Sequence, residues 1–159
     1  MVSSSELLIF TLDAQRYALP LETVVRIVRA AEITPLPNAP AVVLGALDIE
    51  GTILPVLSLR RRLGLPDREV NITDHFLIAD TARRTVILVI DAPQGVQEVF
   101  DDRITRATGV VPGLGAHLHG VVALEDGLVL IHDLEAFLSL EEEAALDTAL
   151  AAEEGTHGN

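Results

Sequence analysis

Apolar residues occur in short bursts along this chain, each bounded by turn residues. Residues 6–12, ELLIFTL, and 16–20, RYALP, flank Asp13-Ala14-Gln15 and predict two strands about a turn. Residues 41–49 and 52–58 predict a second hairpin hinged at Glu50-Gly51, where Gly51 supplies the positive φ of a tight turn. Pro55 has no N–H to donate, which predicts an edge position or a bulge. FLIAD (76–80) and TVILVID (85–91) predict a third hairpin, and residues 118–124 and 127–133 a fourth. Many short strands with turn signals between them predict small barrels or a sandwich.

Elsewhere the pattern changes. In LETVVRIVR (21–29), Val24, Val25 and Val28 share a face at helical spacing, which predicts a short helix or an irregular turn. Their β-branching weakens the helical reading. The three prolines of ITPLPNAP (33–40) exclude a regular helix and predict an ordered loop rather than a PxxP ligand. Residues 59–63 predict one helical turn ending at Gly64, with Pro66 after it and a polar loop over 65–74. Residues 139–152 predict a helix in which Ser139 and Glu142 form a capping box. Glu141, Glu142 and Glu143 fall in its first turn, where the helix dipole favours negative charge. Residues 153–159 are expected to form a flexible tail.

Two segments repeat. Residues 45–63 recur in degenerate form at 120–138, pairing Gly45 with Gly120, Ile49 with Leu124, Val56 with Ile131 and Leu63 with Leu138. At a second offset Val25 and Val28 match Val96 and Val99, and Ile33-Thr34 matches Ile104-Thr105. The change of offset assigns a longer loop, GVVPGLGAH (109–117), to the second copy. One supersecondary design used twice predicts two like halves.

Composition narrows the function. Of 159 residues 49% are apolar but only 3% aromatic, so Leu, Val, Ile and Ala must fill the core. No apolar run reaches the ~20 residues of a membrane span, and MVSSSELLIF lacks the basic start of a secretory signal. Cysteine is absent, which excludes disulfides and thiol chemistry and fits a cytoplasmic protein. The net charge of −13 is uneven: residues 1–106 hold all 11 arginines beside 14 acids, and residues 107–159 hold 10 acids with no Arg or Lys. Nucleic acid and anionic membrane surfaces are disfavoured as partners, since both need a basic face. The acidic end reads as a solvated face in preference to a helix meeting a basic partner.

No constellation points to catalysis. There is no G-x-S-x-G, P-loop or G-x-G-x-x-G motif. His117 and His119 sit two apart, but His75 and His132 lie on other predicted strands, so ordinary loop histidines are preferred to a metal site. Asp101-Asp102 reads as a solvated turn, and Arg60-Arg61-Arg62 as a solvated helical turn rather than a basic anchor.

The order FTL…YALPLETV, then ITPLPNAP, then VLGALDIEGTILPVLSLRRRLGLP, then GLVLIHDLEAFLS with an acidic helix, resembles the CheW-like coupling proteins of bacterial chemotaxis over roughly residues 6–150. The resemblance implies a mainly β fold: two SH3-like five-stranded barrels side by side, with short helices and a C-terminal helix. The first barrel would hold mostly residues 16–70 and the second mostly 74–138, with exchange of strands left open. It implies no catalysis and no cofactor. It implies a cytoplasmic adaptor between the tips of chemoreceptors and a CheA-type histidine kinase. The receptor's helical hairpin would lie in the groove between barrels, and kinase and adaptor barrels would pair pseudo-symmetrically.

Three departures bear on partner choice. Where the family usually has Asn-Leu-Arg-Gly, this chain has Asp48-Ile49-Glu50-Gly51; where it usually has Val-x-Glu, this chain has Val24-Val25-Arg26. The two changes are opposite in sign, so a reversed ion pair between Arg26 and Glu50 is one reading and two unrelated substitutions the other. Val24, Arg26, Asp48 and Glu50 are therefore the candidate partner-binding residues. Ser58 stands where an Asp is common, whereas Asp133 keeps the acid in the second copy. Such divergence suits either a pathway other than flagellar steering or association with a non-standard kinase or receptor. A stand-alone barrel that binds a peptide or small ligand is the competing class.

Overall fold

The computed structural model describes residues 3–106 and 118–157, the side chains of 153–157 excepted. The strands are β1 (Ser4–Leu12), β2 (Gln15–Pro20), β3 (Val24–Arg29), β4 (Val43–Ile49), β5 (Thr52–Leu57), β6 (His75–Asp80), β7 (Thr85–Ile90), β8 (Ala92–Phe100), β9 (Ile104–Arg106), β10 (Leu118–Leu124) and β11 (Gly127–His132). The helices are α1 (Leu59–Leu63) and α2 (Leu140–His157). The fold is mainly β, in two sheets. One has six strands in the order β8-β1-β2-β11-β10-β9, and the other five in the order β3-β6-β7-β5-β4.

This order gives the repeat a physical meaning. The unit β1-β2-β3-β4-β5 corresponds to β6-β7-β8-β10-β11, and each unit lends its first hairpin to the other's sheet. Hairpin β1–β2 joins β8, β10 and β11, while hairpin β6–β7 joins β3, β4 and β5. Each graft is made on both sides of the hairpin: a short parallel pairing, β11 with β2 and β5 with β7, and a longer antiparallel one, β8 with β1 and β3 with β6. The divisions 16–70 and 74–138 are thus corrected to a middle segment, 24–90, flanked by strands at 4–20 and 92–132 that share the other sheet.

The two copies also share a close contact. Gly45 and Gly120 pack under Ile33-Thr34 and Ile104-Thr105 respectively. A Cβ on Gly120 would lie 2.7 Å from the Thr105 carbonyl oxygen and 2.8 Å from Ile104 Cγ2. A Cβ on Gly45 would lie 2.6 Å from Ile33 Cγ2 and closer still to the Thr34 carbonyl. The Thr34–Ala46 backbone pair, 2.8 and 3.1 Å, fixes the first contact and makes ITPLPNAP an ordered wall.

Several expectations are revised. Residues 21–29 form a single 3-10 turn, Leu21–Thr23, and then strand β3, whose pairing with β6 shifts register between Val24 and Arg26. Branched valines suit a half-buried strand, and pairing with β6 overrides the helical spacing. Pro55 lies in an inner strand rather than at an edge; the ladder with β7 begins one residue later, at Val56. Ser58 and Asp133 play the same role: Ser58 accepts the Arg61 N–H at 3.2 Å, and Asp133 accepts the Glu135 N–H at 3.0 Å. The departure at Ser58 exchanges one helix-capping oxygen for another.

The arginine triplet is not a solvated face. Arg60 is buried and bridges Asp13 at 2.8 Å and Asp91 at 2.9 Å. Arg68 joins Asp91 to the buried Asp74, both at 2.8 Å. Asp91 lies where the chain passes from β7 in one sheet to β8 in the other, so this network ties hairpin β1–β2, α1 and the 65–74 loop at the crossing. Arg61 bonds Asp67 and the Ala41 carbonyl, and Arg62 reaches Glu142 of α2 at 2.5 Å.

The acidic helix is likewise only partly solvated. Arg84, in the β6–β7 turn, pairs with Glu143 at 2.7 Å and with Asp147. Leu146 and Ala149 are buried in the same core as Leu63, Val86 and Phe137. The basic partner of this helix is its own chain. The capping box forms as expected: Ser139 Oγ accepts the Glu142 N–H and Glu142 accepts the Ser139 N–H. His132 is a core residue, not a loop histidine, set among Phe10, Tyr17 and Phe137 at centroid distances of 5.6–6.5 Å.

Candidate functional site

The hairpin β4–β5 turns through Glu50 (φ 52°) and Gly51 (φ 91°), both left-handed, as a type I′ turn requires. Asp48 Oδ1 accepts the Gly51 N–H at 2.8 Å and stabilises this turn. Glu50 then reaches Arg26 of β3, with Nη2 and Oε1 3.2 Å apart. Strands β3 and β4 are the two edges of the five-stranded sheet, so the pair clasps one edge to the turn that follows the other. The side chains are 44% and 79% exposed, and solvent screening limits the pair to about 0–1 kcal/mol of stability.

Of the four candidate residues, the structure brings Arg26 and Glu50 together. Asp48 lies in the same turn, its carboxylate occupied by the backbone. Val24 is half-buried against the core, and Val25, 52% exposed, is the apolar side chain presented beside Arg26. The register shift in β3 sets this choice, and no residue in the sequence marks it.

A groove of about 770 Å³ lies against the six-stranded sheet, where β2 passes into β3 and β8 into β9. Leu21 and Ile104 are its partly exposed apolar side chains, and the buried Leu7 and Ile131 lie beneath them. Glu6, Glu22, Glu98 and Asp101 line it as well, with Arg106 and His119. The sequence reading missed this groove, because its walls come from segments up to 127 positions apart. Asp101-Asp102, expected as a solvated turn, form a 3-10 turn with exposed side chains.

Among the described residues no group of three or more His, Cys, Asp or Glu is placed to hold a metal ion. His117 and the loop 109–117 lie outside the described residues. Among the described residues no helix is long and apolar enough to cross a membrane.

The family profile of the CheW-like domain matches residues 6–142. The chain belongs to the CheW-like family. It is 30% identical to the chemotaxis protein CheW of Rhizobium meliloti over 142 residues, 88% of this chain and 92% of that one. It is 28% identical to the CheW of Bacillus subtilis, over 87% of this chain and 90% of that one. Protein FrzA of Myxococcus xanthus is 30% identical over 122 residues, 74% of this chain and 73% of that one. In fold it is similar to the scaffolding protein TtCheW of Thermoanaerobacter tengcongensis: TM-score 0.80, 22% identity, 88% of this chain and 96% of that one.

Proposed function

We propose that this chain is a non-catalytic cytoplasmic adaptor that couples chemoreceptors to a CheA-type histidine kinase. The family match across residues 6–142 carries this reading, since relatives named for chemotaxis align over nearly their whole lengths. The mechanism rests on surfaces: apolar grooves supply burial, and exposed charges supply register and exclude wrong partners. The receptor tip would lie in the groove that presents Leu21 and Ile104 among the carboxylates. The Arg26–Glu50 clasp, with Val25 and Asp48 beside it, would help select which partner fits.

Co-sedimentation of the chain with a chemoreceptor cytoplasmic fragment, and separately with a CheA-type kinase from the same genome, tests the reading. Retention by both is expected. Retention by neither removes it and leaves the stand-alone ligand-binding barrel. A double-mutant cycle on Arg26 and Glu50 tests the clasp. Coupling in folding should not exceed about 1 kcal/mol, whereas coupling in partner binding should be larger. Zero coupling in both ends the specificity role.

A further inference from the structure

The repeat places two like concavities on the molecule, and their chemistry has diverged. One is the groove against the six-stranded sheet. The other, about 1010 Å³, lies against the five-stranded sheet. Four lining positions correspond at the two offsets of the repeat. The first copy has Ala30, Ile33, Pro35 and Leu44, and the second has Asp101, Ile104, Arg106 and His119. At these four positions the shared fold therefore does not require charge; the first copy's groove carries its charges elsewhere, with Arg61 and Arg68 beside Glu32, Asp67 and Glu69.

The carboxylates of the second groove have a further common property. Among the described residues, Glu6, Glu22, Glu98 and Asp101 form no salt bridge, although seven of the chain's arginines form them elsewhere. Ser4 donates to Glu98 at 3.3 Å and Ser5 to Asp101 at 2.7 Å, which orients two of the four across the β1–β8 pairing without neutralising them. Against four carboxylates the groove sets one guanidinium, Arg106. Two partly exposed apolar side chains, Leu21 and Ile104, within an unneutralised acidic rim complement one kind of occupant: a segment with an apolar stripe flanked by cations.

We infer that this groove docks a cationic amphipathic helix, with apolar side chains against the partly exposed Leu21 and Ile104 and Arg or Lys side chains against Glu6, Glu22, Glu98 and Asp101. The inference deepens the adaptor reading and rests on it for the source of the helix, the receptor tip. Specificity follows from sign: a tip with acids at the flanking positions is repelled, and a basic one is steered in and held.

The test uses the full chain and two synthetic 20-residue helical peptides with the same leucine stripe, one flanked by Arg and the other by Glu. Fluorescence anisotropy at low salt should give affinity for the Arg peptide at least tenfold above that for the Glu peptide. The preference should shrink as salt is raised. The E6Q/E22Q variant should weaken the Arg peptide about tenfold. Both side chains are exposed and form no salt bridge among the described residues, so the variant should keep the wild-type unfolding midpoint. E141Q, on the far end of the chain, should change nothing. Equal affinity for the two peptides, no binding of either, or binding indifferent to E6Q/E22Q overturns the inference. Retention by a receptor fragment that is unchanged in E6Q/E22Q also overturns it and leaves the adaptor reading intact. A wild-type chain that binds the Arg peptide but neither receptor nor kinase removes the adaptor reading and keeps the groove's preference.

Discussion

Replacing Gly45 by alanine should destabilise the fold more than replacing Gly120, although both substitutions add a single methyl group. At Gly120 the new Cβ would meet the Thr105 oxygen at 2.7 Å and Ile104 Cγ2 at 2.8 Å. Ordinary contact begins near 3.4 Å, so β9 must withdraw by about 0.7 Å. Overpacking of this size costs about 1–3 kcal/mol. At Gly45 the contact with the Thr34 carbonyl is tighter, and Thr34 is held by two backbone hydrogen bonds to Ala46, at 2.8 and 3.1 Å. Clearing the deeper overlap withdraws Thr34 far enough to lose both, at roughly 1 kcal/mol each, whereas β9, paired with β10 through Thr105 and Val121, needs the smaller shift; the cost at Gly45 rises to about 3–5 kcal/mol. A small domain has only about 5–15 kcal/mol to lose. Urea unfolding followed by circular dichroism reads both values, and an unchanged slope would assign the difference to the folded state. A Gly45→Ala variant within 0.5 kcal/mol of wild type, or a larger cost for Gly120→Ala, would refute the reasoning.

Ala14 occupies the left-handed region, at φ 68°, in the β1–β2 turn. Ala14→Gly relieves that strain and should raise stability by about 0.5–1 kcal/mol, visible as a higher urea midpoint. Burial alone would raise the Asp74 pKa, but hydrogen bonds from Arg68 and the Asn71 N–H outweigh it and hold the carboxyl below its usual range. Glu142 is lowered in the same way: the Ser139 N–H and Arg62 outweigh its burial. Carboxylates with a depressed folded pKa add stability that is full above about pH 4 and is lost as pH falls through the folded value. Stability should therefore decline below about pH 4, and Arg68→Ala should lower stability at pH 7 while making the acid decline shallower; an unchanged acid limb contradicts this. Because each copy lends a hairpin to the other's sheet, fragments 1–72 and 73–159 should show no cooperative unfolding apart and should regain it when mixed. A cooperative transition in either fragment alone would count against the exchange.

Local features were legible in the sequence where short-range rules decide them. The hairpins at Asp13-Ala14 and Glu50-Gly51, the Gly64 stop and the Ser139–Glu142 capping box all depend on neighbours within a few residues. The repeat was legible too, and Gly45 and Gly120 are its physical core. What escaped depends on distant partners. The valines of β3 satisfy helical spacing equally well, and only β6 and the register shift reveal which of them is exposed. The arginine triplet reads as surface until Asp13, Asp91 and Glu142 come beside it. The exchange of hairpins rests on pairings between strands distant in sequence, β1 with β8, β2 with β11, β3 with β6 and β5 with β7, which leave no periodic trace. Of the site, the Arg26–Glu50 pair could be read from opposite charge changes in a resembled pattern, whereas the acid-lined groove could not, because β1, β8, β9 and β10 must first assemble.

Bridging is the central claim, and a three-component sedimentation assay tests it most directly. A membrane-anchored chemoreceptor fragment is mixed with a CheA-type kinase from the same genome, with and without this chain. The account predicts that the kinase sediments with the receptor only when the chain is present, in an amount that saturates as the chain is titrated. Kinase that sediments equally without the chain, or stays in solution at every concentration of it, would contradict the account.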